Sequence, residues 1–407
     1  MKGRIVFAVM LCTAAAGQET EKVPELSAAN YLMSLASGTS MNPLAWPMAM
    51  IMQRKGSWTL MYMGQAFLVD TQQSGPRGGD KLYSTNWGMA SAQHSLGEGK
   101  ILFDVMLSLE PATVTNRSYP LLFQTGETAY GRPLTDAQHP HDFVMGLGVH
   151  YVLPEGEHTL LDFYYAGVGD PALGPVAFSH RASASELPQA PIGHHWQDSS
   201  HIANNVATVG LKYRWIKLEA SGFHGAEPNE NRWNIDWGGM DSYSGRLSVL
   251  PSKNWIAQIS AGRLTKPEAA EAGDVVRTTA SIHYTRVRSS GEAWSTSAIW
   301  GWNHKIATQR DTDAWLLETV FPATGKNFLT GRFEVVDKDE LFPGQDAAFR
   351  VKALTAGYTR DLATKSNLET GAGANLTGYA IPAAIQPAYG RHPWGVSVYL
   401  RVRLKRG

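Results

Sequence analysis

From Ser57 to the end of the chain, apolar residues recur at every second position in segments of about ten residues. No other feature limits the fold so tightly, because side chains alternate faces only along an extended strand. In Lys100 to Glu110, the residues Ile101, Phe103, Val105, Leu107 and Leu109 form an apolar face opposite Lys100, Asp104, Ser108 and Glu110. Trp394 to Leu404 repeats the pattern, with Val396, Val398, Leu400 and Val402 opposing Ser397, Tyr399, Arg401 and Arg403.

Marking every such segment gives about sixteen strands between residues 58 and 404. Their connections alternate in length. Short turns such as Pro154-Glu155-Gly156-Glu157 and Pro251-Ser252-Lys253 are followed by long loops at 111–140, 169–202, 227–241 and 379–393. An even strand count with short turns at one end and long loops at the other is how bacterial outer-membrane barrels are built. Lipid offers no hydrogen-bond partners, so a sheet can cross it only by closing on itself, with strands of about 9 to 11 residues. A β-sandwich also alternates, yet it hides its apolar face and uses only about 7 to 9 strands per immunoglobulin-like unit. Trp58, Trp87, Trp215, Trp255, Trp294, Trp300, Trp315, Trp394, Tyr243 and Tyr284 fall near strand ends, where girdles at the lipid boundary would place them. The loop around Leu187 is then expected outside the cell, and the turn around Glu155 in the periplasm.

Residues 1–17 read as a signal peptide: Lys2 and Arg4, an apolar run from Ile5 to Leu11, then Ala14, Ala15, Ala16 and Gly17. The only cysteine, Cys12, lies in this leader, which excludes disulfides and thiolate chemistry from the exported chain. Thirty-six basic residues balance 36 acidic ones, which excludes a nucleic-acid binder driven by bulk positive charge. No later stretch holds roughly 18 consecutive apolar residues, so no membrane-spanning helix is expected. Residues 18–56 fall outside the alternation and read as a periplasmic segment or a plug, with a short amphipathic helix within Pro24 to Ala36. Residues 57–407 form the barrel.

Parity places Asp104, Asp162, Lys217, Glu219, Arg246, Gln258, Arg277, His283, Glu318, Arg332, Glu334, Glu369, Arg401 and Arg403 on the inward face. Sixteen strands leave room for an aqueous passage. Lys217, Glu219, Arg246, Arg277, His283, Arg332, Glu334, Arg401 and Arg403 are the pore-lining candidates. Arg277, Arg332, Arg401 and Arg403 among them make a basic wall suited to anionic solutes, or else a set of charge pairs that satisfies a wet interior.

The windows 111–142 and 169–202 hold six of the chain's 13 histidines. His139, His141, Asp142, His180, His194, His195, Asp198 and His201 are therefore the metal candidates. Imidazole and carboxylate suit divalent copper or zinc, and two loops over one mouth can assemble such a site. A hydrogen-bonded clamp between the same loops is the alternative account of these residues. Met33, Met41, Met48, Met50, Met52, Met61 and Met63 form a third cluster; thioethers favour Cu(I), and methionine also fills irregular apolar gaps. Enzyme signals are weak. Ser199-Ser200-His201 beside Asp198 lacks a nucleophile elbow, and Gly75-Pro-Arg-Gly-Gly-Asp80 lacks the Lys-Ser/Thr of a phosphate loop.

Several strings carry a resemblance: Ala36-Ser-Gly-Thr-Ser40, Ser74-Gly-Pro-Arg-Gly-Gly-Asp80, Leu109-Glu-Pro111, Tyr119-Pro-Leu-Leu-Phe-Gln-Thr-Gly-Glu-Thr128, Gln138-His-Pro-His-Asp142, His194-His-Trp-Gln-Asp-Ser-Ser-His201 and Asp241-Ser-Tyr-Ser-Gly-Arg246. With them the chain resembles a family of Gram-negative outer-membrane β-barrel proteins associated with copper and other metal-resistance gene neighbourhoods. The resemblance implies a metal context and supplies no catalytic residue. The expected protein is an all-β, antiparallel transmembrane barrel of the outer membrane that passes or handles small solutes, with metal ions as the narrower version. It is not expected to be an enzyme. A barrel enzyme with a rim site and a structural or adhesive barrel are the alternatives. The lipid bilayer and small solutes or metal ions are the expected partners, and oligomerisation is left open.

Overall fold

The alternation resolves into nineteen strands in the computed structural model, which describes residues 25–270, 273–289, 291–342, 344–345 and 347–405. The signal peptide assigned to residues 1–17 lies outside the described residues. A helix, α1 (Ala28–Ser34), precedes β1 (Ile51–Lys55), β2 (Trp58–Gln73), β3 (Gly79–Leu96) and β4 (Gly99–Leu107). Then come β5 (Tyr119–Ala129), β6 (Arg132–Gln138), β7 (Val144–Glu155), β8 (Thr159–Gly169), β9 (Ala203–Tyr213), β10 (Ile216–His224), β11 (Ser242–Ser252) and β12 (Trp255–Leu264). The series ends with β13 (Val275–Val287), β14 (Ala293–Lys305), β15 (Arg310–Thr324), β16 (Asn327–Lys338), β17 (Phe349–Lys365), β18 (Leu368–Ala380) and β19 (Trp394–Leu404).

Strands β2 to β4 and β7 to β19 are the sixteen of the barrel, each antiparallel to its neighbours. The ring closes where β19 pairs with β2, from Gly395↔Gln73 to Arg403↔Gln65. Closure leaves no open edge, the condition a sheet must meet in hydrocarbon. Below that seam, β1 occupies the same edge of β2, from Lys55↔Trp58 to Ile51↔Tyr62.

The two faces separate as the period dictates. Along β19, Val398 is 58% exposed and Ser397 only 2%. Leu400 is exposed on the same strand, and Phe163, Leu317, Leu329 and Leu354 are exposed on others. An apolar surface this extensive is stable against lipid and not against water. Trp215, Trp255, Trp315, Trp394 and Tyr243 are exposed near strand ends. Trp255, Tyr284, Trp294 and Phe321 follow one another at centroid spacings of 4.5, 5.4 and 6.0 Å. Trp87 is a correction to the girdle. The register of β3 buries Tyr83, Thr85, Ser91 and Gln93, and the same parity turns Trp87 inward, where its ring meets His180 edge-on at 4.4 Å.

Three segments fill the bore. The first begins with α1, capped by Ser27, whose hydroxyl accepts from the Asn30 amide at 3.3 Å. Tyr31, Leu32, Leu35 and Met41 pack against Met61, Leu102, Val152, Leu160, Leu250 and Ile256, all near the short-turn end. The second is the β5–β6 hairpin, whose Leu122 and Phe123 reach Val336, Val351, Ala353 and Tyr379 across the bore. The third is the long loop 170–202, nearly all of it buried. Leu187 was expected outside the cell, yet it is 6% exposed because this loop folds into the barrel.

Candidate functional site

The inserted segments bind to the inward polar face, and this settles the environment of the pore-lining candidates. Lys217 Nζ lies 2.9 Å from Glu219 and donates to the Thr39 carbonyl at 2.6 Å. Arg246 donates to Glu219 at 2.9 and 3.2 Å, to Thr39 Oγ1 at 2.9 Å and to the Gly174 carbonyl at 3.1 Å. Tyr31 of α1 donates to Asp162 at 2.6 Å. In the third loop, Arg181 reaches Glu318 at 2.7 Å, and Arg332 donates to Glu318 at 3.0 Å and to the Gln189 carbonyl at 2.9 Å. Glu334 accepts from the Gly193 amide at 3.2 Å, Arg277 donates to Ser199 Oγ at 2.9 Å, and His283 meets Ser297 Oγ at 2.6 Å. Glu186 pairs with Arg401 and, at 2.6 Å, with Arg403, while Asp361 and Glu369 flank both guanidiniums.

All nine residues face inward and all nine are buried. The four arginines of the expected basic wall each have an acceptor in the inserted loop. Their charge is spent on holding that loop. Such pairs break even only when the partners are well bonded.

The histidines of the second and third loops do converge. The His194 ring lies 5.3 Å from that of His195 and 5.2 Å from that of His201. His141 lies 5.5 Å from His201, and His139 lies 6.3 Å from His195. Phe178 packs against His141, His194 and His201. His180 instead sits against Trp87.

Most of these rings have hydrogen-bond partners of their own. Nδ1 of His194 meets Asp198 at 2.7 Å, that of His141 meets Glu110 at 2.9 Å, and that of His201 meets the Asp198 carbonyl at 2.8 Å. His139 bonds the Pro140 carbonyl at 3.0 Å and Glu127 at 3.0 Å. Arg232 of the loop 225–241 pairs with Glu127 and, at 3.3 Å, with Asp142. These contacts form a clamp between loops.

His195 differs: its Nδ1 lies 3.0 Å from Glu268 and 3.4 Å from Glu227. One ligand atom from each of these three residues lies within 4.8 Å of the other two. Glu110, Glu127, Glu227 and Glu268 were absent from the sequence candidates. Glu110 and Glu127 stand inside the quoted strings, whereas Glu227 and Glu268 have no local signal.

Charge follows this geometry. Burial lowers His194 to about 4 despite Asp198, lowers His180 to about 3, and pushes His139 and His201 down as well. Burial acts on His195 too, but the carboxylates of Glu227 and Glu268 outweigh it and raise the imidazole to about 10. Asp198 is held well below the carboxylate range against its burial, by His194 and Arg181. Burial raises Asp142 to about 8.

Ser199 accepts from Arg277 and His201 turns to a backbone carbonyl, so the Ser-His-Asp string does not form a hydrogen-bonded triad. Arg77, in the Gly-rich tip, is 2.6 Å from Asp136 and stacks over Tyr389 at 4.8 Å.

A closed sixteen-stranded antiparallel barrel with an apolar outer band and a polar interior defines a transmembrane barrel of the outer-membrane type, and it resides in that membrane. Among solved structures, the chain is similar to an anion-selective porin from Comamonas acidovorans, with a TM-score of 0.55 and 14% identity over 85% of this chain and 99% of that one. It is also similar to Salmonella typhi OmpF in complex with daunomycin (TM-score 0.52, 8% identity, 87% and 100% coverage). A loop-deletion mutant of OmpT, an outer membrane protein of Vibrio cholerae, is similar at a TM-score of 0.50 and 9% identity, with 85% and 99% coverage. No family model matches the chain, and no curated protein matches it.

Proposed function

We propose that this protein is a porin-like barrel that passes small solutes across the outer membrane, and that its inserted segments set how readily it does so. The observation that carries the reading is a closed barrel with a polar inward face and an open cleft at each end. A cavity of about 510 Å³ lined by Asn30, Gln53, Gln93 and Lys100 opens at the short-turn end. One of about 460 Å³ lined by Arg77, Asp80, Lys81 and Asp136 opens at the long-loop end. In the filled bore, cavities of about 70, 50 and 20 Å³ remain. The anion selectivity of the Comamonas barrel is not carried over, because the inward arginines here are bonded to the third loop.

Single-channel recording of the purified protein in planar bilayers tests this. Brief openings from a mostly closed state are expected. A folded barrel that never conducts at any applied voltage would refute passage and leave the structural or adhesive reading; turnover at the rim would favour the enzyme reading.

A narrower reading is metal-ion handling, with copper as cargo. It draws on the cavity of about 50 Å³ lined by Met33, Met50, Met61, Met63 and Met89 together with His150. Thioether and imidazole donors suit Cu(I). Vesicles loaded with a Cu(I) indicator should respond faster than control vesicles, and replacing Met61 and Met63 with Leu should slow them. Equal rates would remove the reading.

A further inference from the structure

We infer that His195, Glu227 and Glu268 form a site for a divalent cation of the zinc class, which ties the inward-folded third loop to the loop 225–241 and to residues 265–270. The inference goes beyond solute passage and does not depend on it.

The donors are already gathered. Zinc bonds of about 2.0 to 2.2 Å in a tetrahedron separate ligand atoms by about 3.4 Å. The Nδ1 to carboxylate distances of 3.0 and 3.4 Å are close to that value. One imidazole and two carboxylates are nitrogen and oxygen donors that suit zinc, manganese or iron, unlike the thioether cavity. Three protein ligands leave a fourth position for water or a solute.

A second observation points to a missing partner. Neither carboxylate oxygen of Glu227 has a hydrogen bond among the described residues, and its side chain is 8% exposed. A buried carboxylate without donors costs several kcal/mol in an apolar setting, so such groups are rarely left unmet.

The surroundings fix the ligands as an outer shell does. Glu268 Oε2 accepts from the Glu127 amide at 3.3 Å, and Asn303 donates to the His195 carbonyl at 3.1 Å. The His195 ring lies where a Cβ on Gly126 would stand, and Gly126 has a φ of 105° that favours glycine. Arg277 and Lys338 are the cations that act on these carboxylates, and Glu340 adds a third negative charge beside Glu268.

A protonated imidazole bridging the two carboxylates is the competing account, and a metal must displace that proton. The test uses the full-length barrel in detergent, stripped with chelator at neutral pH and titrated with Zn²⁺ by calorimetry. One saturable equivalent is expected, and loading should slow tryptic cleavage within residues 170–202. Glu227→Gln and Glu268→Gln should each weaken binding by more than about tenfold, the loss produced even by outer-shell changes. Heat-modified gel mobility should show both variants folded. X-ray absorption of the loaded wild type, which needs no variant, should show only nitrogen and oxygen neighbours. Absence of saturable uptake, sulfur neighbours, or unchanged affinity in both variants would overturn the inference. Zinc binding by a barrel that never conducts would uphold the site and sink only the passage reading.

Discussion

Glu186 fastens the third loop to the barrel wall, and its replacement by Gln should unlatch that loop. The carboxylate is fully buried and accepts from Arg401 and from Arg403, the latter at 2.6 Å. Gln keeps the volume and one carbonyl acceptor, so about one charged hydrogen bond is lost, worth about 1.5 to 3 kcal/mol. The loss stays at that level because Asp361 and Glu369 remain beside both guanidiniums and neither arginine is stranded. At 1.4 kcal/mol per factor of ten, the displaced-loop population should rise about tenfold to a hundredfold. Single-channel open probability reads that population directly, with gel mobility confirming that the barrel is intact. An open probability within about twofold of wild type would show that Glu186 does not hold the loop, and that the fit of the whole insert does.

An Arg at Val398, on the lipid face of β19, should cost about 2 to 4 kcal/mol in folding titrations in vesicles if it lies near the midplane; equal stability would mean the faces are reversed. An Arg at Ser397 should also destabilise, since Gln189 Oε1 accepts from its hydroxyl at 3.1 Å and the residue is only 2% exposed; tolerance there would mean an emptier bore. Tyr31→Phe removes a buried donor to Asp162, costing about 1 to 3 kcal/mol, and should let protease reach residues 25–50 sooner in the folded barrel; an unchanged cleavage rate would remove that anchor. His194 takes its proton near 6.5 in an unfolded loop and near 4 when folded. The unfolded loop therefore binds more protons between those values, and loop stability should fall as pH drops from about 6.5 to 4. Tryptic cleavage in 170–202 should rise across that range and flatten in His194→Asn; a flat wild-type profile would refute it. On intact cells a tag at Trp237, 65% exposed, should label and one at Glu155 should not; equal labelling would sink the orientation.

The barrel was legible because each wall strand has one face against lipid, and that asymmetry prints a period of two into the residues. It fades where both faces are buried. The β5–β6 hairpin shows no alternation, and its register shifts between Pro120 and Thr125 and again before Thr128. Phe123, Glu127 and Asp136 there carry positive φ of 67°, 59° and 58°, a conformation propensity does not announce. The loop 169–202 reads as a surface loop by its length, and the wall residues that draw it inward, among them the arginines opposite Glu186 and the carboxylate opposite Arg181, are far from it in sequence. The histidines were found by density along the chain. The carboxylates at His195 were not, because Glu227 and Glu268 belong to loops that meet only after the ring has closed.

The seam between β2 and β19 joins the first barrel strand to the last, and it dictates an order of assembly. A chain released residue by residue cannot complete its ring until Arg403 is available to lie beside Gln65. Residues 25–50 and the third loop occupy the space the ring encloses, so they must be in place, or be threaded in, before that last pairing seals the cylinder. Contacts so distant in sequence form slowly. The polar cargo of the bore is thus loaded while the wall is still a curved, open sheet, with its charges wet. Sealing and drying become one step.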